Sequence, residues 1–579
     1  MVRNNKLMQS KGNLGLLMLI LTGYLFIFTG SSFGSAYLLE VPVWESNCLS
    51  FSFSFLLDNV SMIFVGTVLV ISGSVATYCK WYMAEELYYN RFMGLVWLFV
   101  LSMVFMILVP NLVMLLIGWD GLGLTSFLLV AYYQNNKSLS AAMLTALTNR
   151  IGDVLVLISI SIFLSEGGWL IYSYHPVQMW LNLGFMVVFA GMTKSAQMPF
   201  CAWLPAAMAA PTPVSSLVHS STLVTAGVYL VLRSFYIISS NPYVTQVLMI
   251  LSLFTLVLAG SSAVFAFDLK KVIALSTLSQ LSLMMFSISI LLPSVAFFHL
   301  VTHAVFKALL FLGAGGVIHS NQSIQDIRGL SSLWQGLPVS MGAMSVAIVS
   351  LSGAPFMSGF FSKDLMIELS MMDSSVTYGC YLLELLGLIF TSFYSARIVF
   401  SVMLGSNYVN NSTLRINEHL NMQTPFLSLY IGAIILGVVL GSKMESFGFV
   451  VVLESYESLS VFFIPFAGLI LWRGVISKLG SSPWSSAKSL SFFLSMWFME
   501  SLTSHPGKVT FFKGSSTVAQ SLDQGWLELL GPQGVHAGLG QFSCLNEIVQ
   551  KNYFTYQLVV WGLLVAGGVS LIIFMQWEL

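Results

Sequence analysis

Across 579 residues, 23 basic side chains balance 23 acidic ones; charged residues amount to only 8% and apolar ones to 57%. Soluble proteins carry roughly 25% charged residues, so a string of soluble domains is excluded and an all-α, polytopic membrane protein is predicted. Zero net charge without a basic run argues against nucleic acid as a partner and leaves membrane lipids as the surroundings.

Arg3, Lys6 and Lys11 precede the apolar run Leu14 to Phe28, superficially as in a signal peptide. No small-residue cleavage pattern follows, so a retained first helix is predicted. At about 20 apolar residues per span, candidate spans fall near 14–30, 55–78, 91–109, 111–133, 142–164, 181–200, 214–236 and 245–266. They continue near 272–292, 295–318, 337–354, 360–373, 379–404, 425–441, 456–474 and 555–576. The prediction is roughly 14 to 16 helices.

Two of these spans are interrupted. Between Gly191 and Leu230 lie Lys194, His219, Pro199, Pro205, Pro211 and Pro213. A charge at bilayer depth costs about 2.5 to 3.5 kcal/mol on insertion scales, so Lys194 must face a partner or a wet cavity. Each proline removes a backbone donor, tolerated at that depth only inside protein or against a cavity. The stretch therefore predicts a discontinuous helix pair around an ion site. Gly353, Pro355 and Gly359, ahead of Lys363 and Asp364, mark a second break. Paired broken spans point to an internal transporter repeat.

The polar residues embedded in the spans are Asp120, Asp153, Lys194, His219, His299, His303, Lys307, Lys363 and Asp364. Nine such residues in one chain predict a proton relay, although any one alone reads equally as a structural partner. Asp120 lies in GWDGLG, whose glycines permit close helix approach, and Lys194 is its predicted partner, directly or through one water. Such a pair works as a switch because the lysine's charge depends on the nearness of the carboxylate; a static ion pair is the alternative. Asp153, beside Arg150, either modulates the first half or ends the path near one surface. His299, His303 and Lys307 recur every four residues and form one drifting stripe. Histidine both accepts and donates near neutral pH, which suits proton transfer; the alternative is a hydrogen-bonded polar seam. Four-residue histidine spacing also occurs at metal sites, but no carboxylate or cysteine completes one here, so no metal is predicted. The hydroxyls around His219 either hold water or satisfy carbonyls freed by the prolines, the second reading suiting the individual serines.

Cys48, Cys79, Cys201, Cys380 and Cys544 are far apart without CxxC spacing, as expected of packing residues. With no GxGxxG after a strand, no Walker loop and no CxxCH, no cofactor is predicted on this chain. From about Ile476 the sequence turns polar, and Leu522, Trp526, Leu529 and Leu530 fall at helical spacing between Asp523, Gln524 and Glu528. That pattern predicts an amphipathic helix lying along a surface. Gly and Pro predict a break within 531–540, and a final span follows.

GMTKSAQMPFCAWLPAAMAAPTP, THAVFKALLFLGAG and GFFSKD resemble the signatures of the antiporter-like subunits of respiratory complex I, nearest to the mitochondrially encoded chain 5 type. The resemblance spans most of 61–400. It implies two inverted five-helix repeats, and segments 1–110 (N-terminal helices), 111–404 (antiporter-like core), 405–475 (further helices), 476–552 (linker and lateral helix) and 553–579 (anchor helix). It further implies a central-lysine role for Lys307, connecting roles for the histidines, and terminal donor and exit roles for Lys363 and Asp364. Many members carry glutamate at the position of Asp120, a shorter side chain here. NADH, flavin, iron–sulfur clusters and ubiquinone would then sit on other subunits. The partners implied are membrane-arm subunits, above all an adjacent antiporter-like one, in the mitochondrial inner membrane or, alternatively, a bacterial plasma membrane. The competing readings are a Mrp-type sodium/proton antiporter subunit, and a scaffold or channel with a structural polar seam.

Overall fold

Sixteen-fold repetition of apolar runs becomes a helical protein in the computed structural model, which describes residues 2–32, 34–45, 50–165, 180–330, 333–372, 376–405, 418, 420–445, 463, 466–473, 487–499, 501–503, 508–551 and 554–577. Among these, 12 helices are long and apolar enough to cross a membrane. That is fewer than the sequence predicts, because broken helices are individually too short and the candidate span 456–474 lies mostly outside the described residues. Contacts divide the chain into two units, Met1–Glu500 and Ser501–Leu579.

In the first unit α1 (Val2–Ser32) is followed by a hairpin, β1 (Tyr37–Glu45) paired antiparallel with β2 (Ser50–Leu57). The sequence predicts no span between 30 and 55, where most of this hairpin lies. Asp58 ends it and caps α2 (Asn59–Tyr82), accepting from the Ser61 amide at 2.8 Å while Ser61 Oγ accepts from the Asp58 amide at 2.9 Å. This reciprocal capping satisfies two donors that a helix start leaves open. Helices α3 (Tyr89–Leu108), α4 (Leu112–Val130) and α5 (Asn136–Ser165) follow.

The first break separates α6 (Trp180–Lys194) from α7 (Trp203–Ala206), and a short α8 (Thr212–Val214) leads through π-helical residues Ser215–Thr222 into α9 (Leu223–Arg233). After α10 (Phe235–Ser239) and α11 (Pro242–Phe265) come α12 (Leu269–Ser289) and α13 (Pro293–Ser320). Together with the α8–α9 segment, α12 and α13 are almost wholly buried and form the centre of the unit. The second break separates α14 (Pro338–Ser352) from α15 (Ser358–Met372), with Gly353 at φ 80°, a left-handed C-cap that favours glycine. Helices α16 (Tyr378–Ile398) and α17 (Leu420–Glu445) pack around them.

In the second unit, helical residues run from Lys508 to Leu530, interrupted by π turns, break at Gly531 and resume over Pro532–Lys551. Phe554–Trp577 follows as an apolar helix. The break is at the predicted place, but the helix then passes through Gly534, Gly538 and Gly540 without interruption.

Candidate proton-transfer site

Lys194 is the last residue of α6 and is fully buried. It reaches back to α4, donating from Nζ to the Trp119 carbonyl at 2.6 Å, with the same ammonium 3.7 Å from the centre of the Trp119 ring. Trp119 Nε1 donates to Asp153 Oδ1 at 2.9 Å, and the other Asp153 oxygen accepts from Arg150 Nη1 at 3.1 Å. That same guanidinium nitrogen lies 3.7 Å from Asp120 Oδ2. The result is a continuous file from Lys194 through Trp119, Asp153 and Arg150 to Asp120.

This arrangement corrects one form of an expectation, the direct pairing of Lys194 with Asp120. No ion pair joins Lys194 to Asp120; the Asp120 carboxylate faces Arg150, whose side chain is 56% exposed. The cause is local packing. Gly118 and Gly121 admit α3, since a Cβ on them would fall 2.9 Å from the Met106 amide and 3.0 Å from Ser102 Cβ. It is Gly152, beside Asp153, that brings α5 against Thr193 and so places Asp153, rather than the short Asp120, behind Trp119. Trp119 itself was invisible in sequence, because a tryptophan in an apolar span reads as core.

The break after Lys194 is held by side chains. Trp203 Nε1 donates to the Thr193 carbonyl at 3.0 Å, Thr255 Oγ1 donates to Gln197 Oε1, and the buried Lys270 donates to the Ala210 carbonyl at 3.2 Å. Lys270 lies between two candidate spans and carries no motif that would single it out. His219 is buried in the π-helical stretch, 6.2 Å from the Trp203 ring, and neither ring nitrogen has a hydrogen-bond partner. Ser215, Ser216, Ser220, Ser221 and Thr222 each donate to a carbonyl of their own segment, as the proline breaks led one to expect.

On α13, His299 is bonded on both sides, at 2.9 Å to Ser362 Oγ and 3.2 Å to Gln280 Oε1. His303, its ring centre 6.1 Å from that of His299, has both nitrogens without partner. Lys307 is fully buried and donates to Ser276 Oγ on α12 and to the Ile273 carbonyl at 3.4 Å. Lys363, next to Ser362 on α15, donates to Thr391 Oγ1 of α16 at 3.0 Å, and Asp364 is half-buried beside it. The structure thus joins His299 and Thr302 to Ser362, with Lys363 next in the chain and His303 beside the His299 ring, and groups Lys194 with Asp153 and Asp120 around Trp119 and Arg150. Glu384, fully buried on α16 and accepting from Ser370 Oγ at 2.8 Å, is an intramembrane acid that the sequence reading passed over. Among the described residues, no group of three or more His, Cys, Asp or Glu side chains is gathered as for a metal ion.

Three family models match the chain: "NADH-Ubiquinone oxidoreductase (complex I), chain 5 N-terminus" over 44–93, "NADH:quinone oxidoreductase/Mrp antiporter, TM" over 109–391 and "NADH dehydrogenase subunit 5 C-terminus" over 394–573. The chain is 42% identical to NADH-ubiquinone oxidoreductase chain 5 of Anopheles quadrimaculatus over 89% of its own length and 90% of that protein. It belongs to the NADH-ubiquinone oxidoreductase chain 5 family. The chain 5 of Lumbricus terrestris is 40% identical, with 87% of this chain and 88% of that one covered. Among solved structures, the Mrp complex from Dietzia sp. DQ12-45-1b shares the fold with a TM-score of 0.71 at 23% identity, covering 92% of this chain and 60% of that one. The archaeal membrane-bound sulfane sulfur reductase shares it with a TM-score of 0.64 at 19% identity, over 75% and 91% of the two chains. A chain 5 family member thus carries its broken helices and buried lysines on a fold common to antiporter and respiratory complexes.

Proposed function

We propose that this chain is the proton-translocating membrane subunit of respiratory complex I that couples NADH:ubiquinone electron transfer to proton movement through its buried Asp, Lys and His line. The observation that carries the reading is that Lys194, Lys307 and Lys363, three of the four buried lysines among the described residues, are each held by a carbonyl or hydroxyl and by no ion pair. A buried lysine is expensive to charge and gains or loses its proton as nearby charge changes. Lys194 meets a carbonyl and an aromatic face, both of which hold an ammonium better than an amine. Arg150 lies against two carboxylates, so engagement with Asp120 leaves Asp153 free to draw positive charge toward Lys194 through Trp119. Withdrawal to Asp153 weakens that pull and frees the proton to move on.

Beyond the break, His219 and His303 each offer one nitrogen to accept and one to donate. Buried polar atoms without protein partners call for ordered water, and water beside these rings would carry the proton along α13. His299 then hands it through Ser362 to the neighbourhood of Lys363, with Lys307 as the store between the halves. NADH, flavin, iron–sulfur clusters and ubiquinone are assigned to other subunits, since the sequence holds no motif for them. The Mrp likeness is one of fold, and the C-terminal family match favours complex I.

We place the chain in the mitochondrial inner membrane among other membrane-arm subunits, an adjacent antiporter-like subunit included. Its tail 508–551 supports that setting: Leu522, Trp526 and Leu529 are 50%, 63% and 66% exposed, a stripe available to neighbouring subunits. In assembled complex, Lys194→Ala or Lys307→Ala should abolish or sharply reduce pumping, measured as protons moved per electron. A correctly assembled variant pumping at the normal ratio would refute the relay.

A further inference from the structure

Helices α15 and α16 follow one another in the chain and are joined by two polar cross-links. Lys363 bonds Thr391 across 28 residues, and Ser370 bonds Glu384 across 14, so both rungs are centred on residue 377. Seven residues separate the rungs on each helix, about 10 Å of rise. The Lys363 rung lies just past the break that starts α15, and the Glu384 rung lies nearer the end of α15 and the start of α16.

Glu384 is fully buried, one turn before Leu388, a member of an apolar cluster that also holds Met366 and Ile367 of α15. Ser370 contacts only Oε2, and Oε1 has no partner. An acid at this depth, with one oxygen open and no cation on it, is costly as a purely structural element. Resting on the relay reading above, we propose that Glu384 is a further proton-carrying residue, the last buried station between Lys363 and the surface near residue 377. The proton leaves Lys363 Nζ, converting ammonium to amine, and crosses the apolar gap on a transient water file. It arrives on the carboxylate Oε1, making the neutral acid, and then leaves to water there, restoring the carboxylate. Ser370 is a positioning residue, holding Oε2 so that Oε1 faces the route.

The test uses assembled complex in sealed vesicles, with protons per electron as one readout and the infrared carbonyl stretch of protonated carboxyl groups as the other. Glu384→Gln should slow proton release by about a hundredfold, the lower end of what a positioned acid–base group contributes, and remove one carboxyl band. Glu384→Asp should restore part of the pumping. A normal ratio in Glu384→Gln alongside lost pumping in Lys363→Ala overturns the Glu384 role and leaves the relay standing. Normal pumping in both overturns the relay and the proposal with it. If Glu384→Gln does not assemble, Ser370→Ala decides: a shifted carboxyl band supports a proton on Glu384, and an unshifted one overturns it.

Discussion

The two halves of the core hold their lysines in different ways. In the first half Lys194 has no side-chain hydroxyl or imidazole within bonding distance; its partners are the carbonyl and ring of Trp119, and two carboxylates and an arginine stand in file behind that tryptophan. In the second half Lys307 and Lys363 rest on hydroxyls, with histidines nearby and no arginine in the group. Charges act over distance, whereas hydroxyls and imidazoles pass protons through contacts. The first half is therefore suited to switching and the second to conduction.

That contrast is broken most directly at Asp153. Asp153→Asn should cut pumping by about a hundredfold, because it removes the charge that Trp119 presents toward Lys194, and Asp120→Asn should cut it far less. Proton-to-electron ratios of the two variants decide; a larger loss from Asp120→Asn would return the switch to the Asp120–Lys194 pair. Next in size is Trp119→Phe, which keeps a ring and the backbone carbonyl but loses the indole N–H. About a tenfold fall in pumping rate is expected, that is about 1.4 kcal/mol, the worth of a hydrogen bond to a charged group. Unchanged pumping would show that Asp153 acts on Lys194 without the indole. In the second half, Ser276→Ala and Thr391→Ala each remove one hydroxyl from a lysine, and each should slow pumping only about fivefold. A loss as large as that from Asp153→Asn would erase the distinction between the halves.

Both breaks were legible in sequence, because proline and glycine cannot be hidden inside a span: Pro199 to Pro213 and Gly353 to Gly359 fall where the helices stop. The α13 stripe was legible from four-residue spacing alone. Pairing was not, since Lys194 meets Asp153 only through Trp119, and which carboxylate sits behind that ring depends on where Gly152 and Gly118 let helices touch. Glu384 stayed hidden as a single acid with no neighbouring motif. The hairpin had a signal that was missed: SFSFSF at the start of β2 alternates with period two, but the search for long apolar runs absorbed its end into the next span.

The smallest expected effect on pumping, and a separate contrast in stability, lies at the ends of α9 and α16. Arg233 closes α9 by gripping Asp58 with two bonds, 2.6 and 2.9 Å, and by donating to Tyr229 Oη at 2.7 Å. Arg397, at the corresponding end of α16, donates to the Val264 carbonyl and lies 5.6 Å from the Phe267 ring. Burial alone would raise the Asp58 pKa, but the Arg233 bonds and charge and the Ser61 bonds outweigh it and hold the carboxyl below its usual value. A carboxyl so held contributes stability that is present above its unfolded pKa, about 3.9, and is lost as pH falls through the lower folded value. Asp58→Asn should therefore leave pumping near normal and destabilise the chain by about 2 kcal/mol at neutral pH. In thermal unfolding of the assembled complex, the gap between variant and parent should hold down to about pH 4 and then close. No gap at neutral pH would mean that Asp58 acts only as the cap of α2, a role asparagine keeps, and not through Arg233, and the first half would lose its ionic clamp.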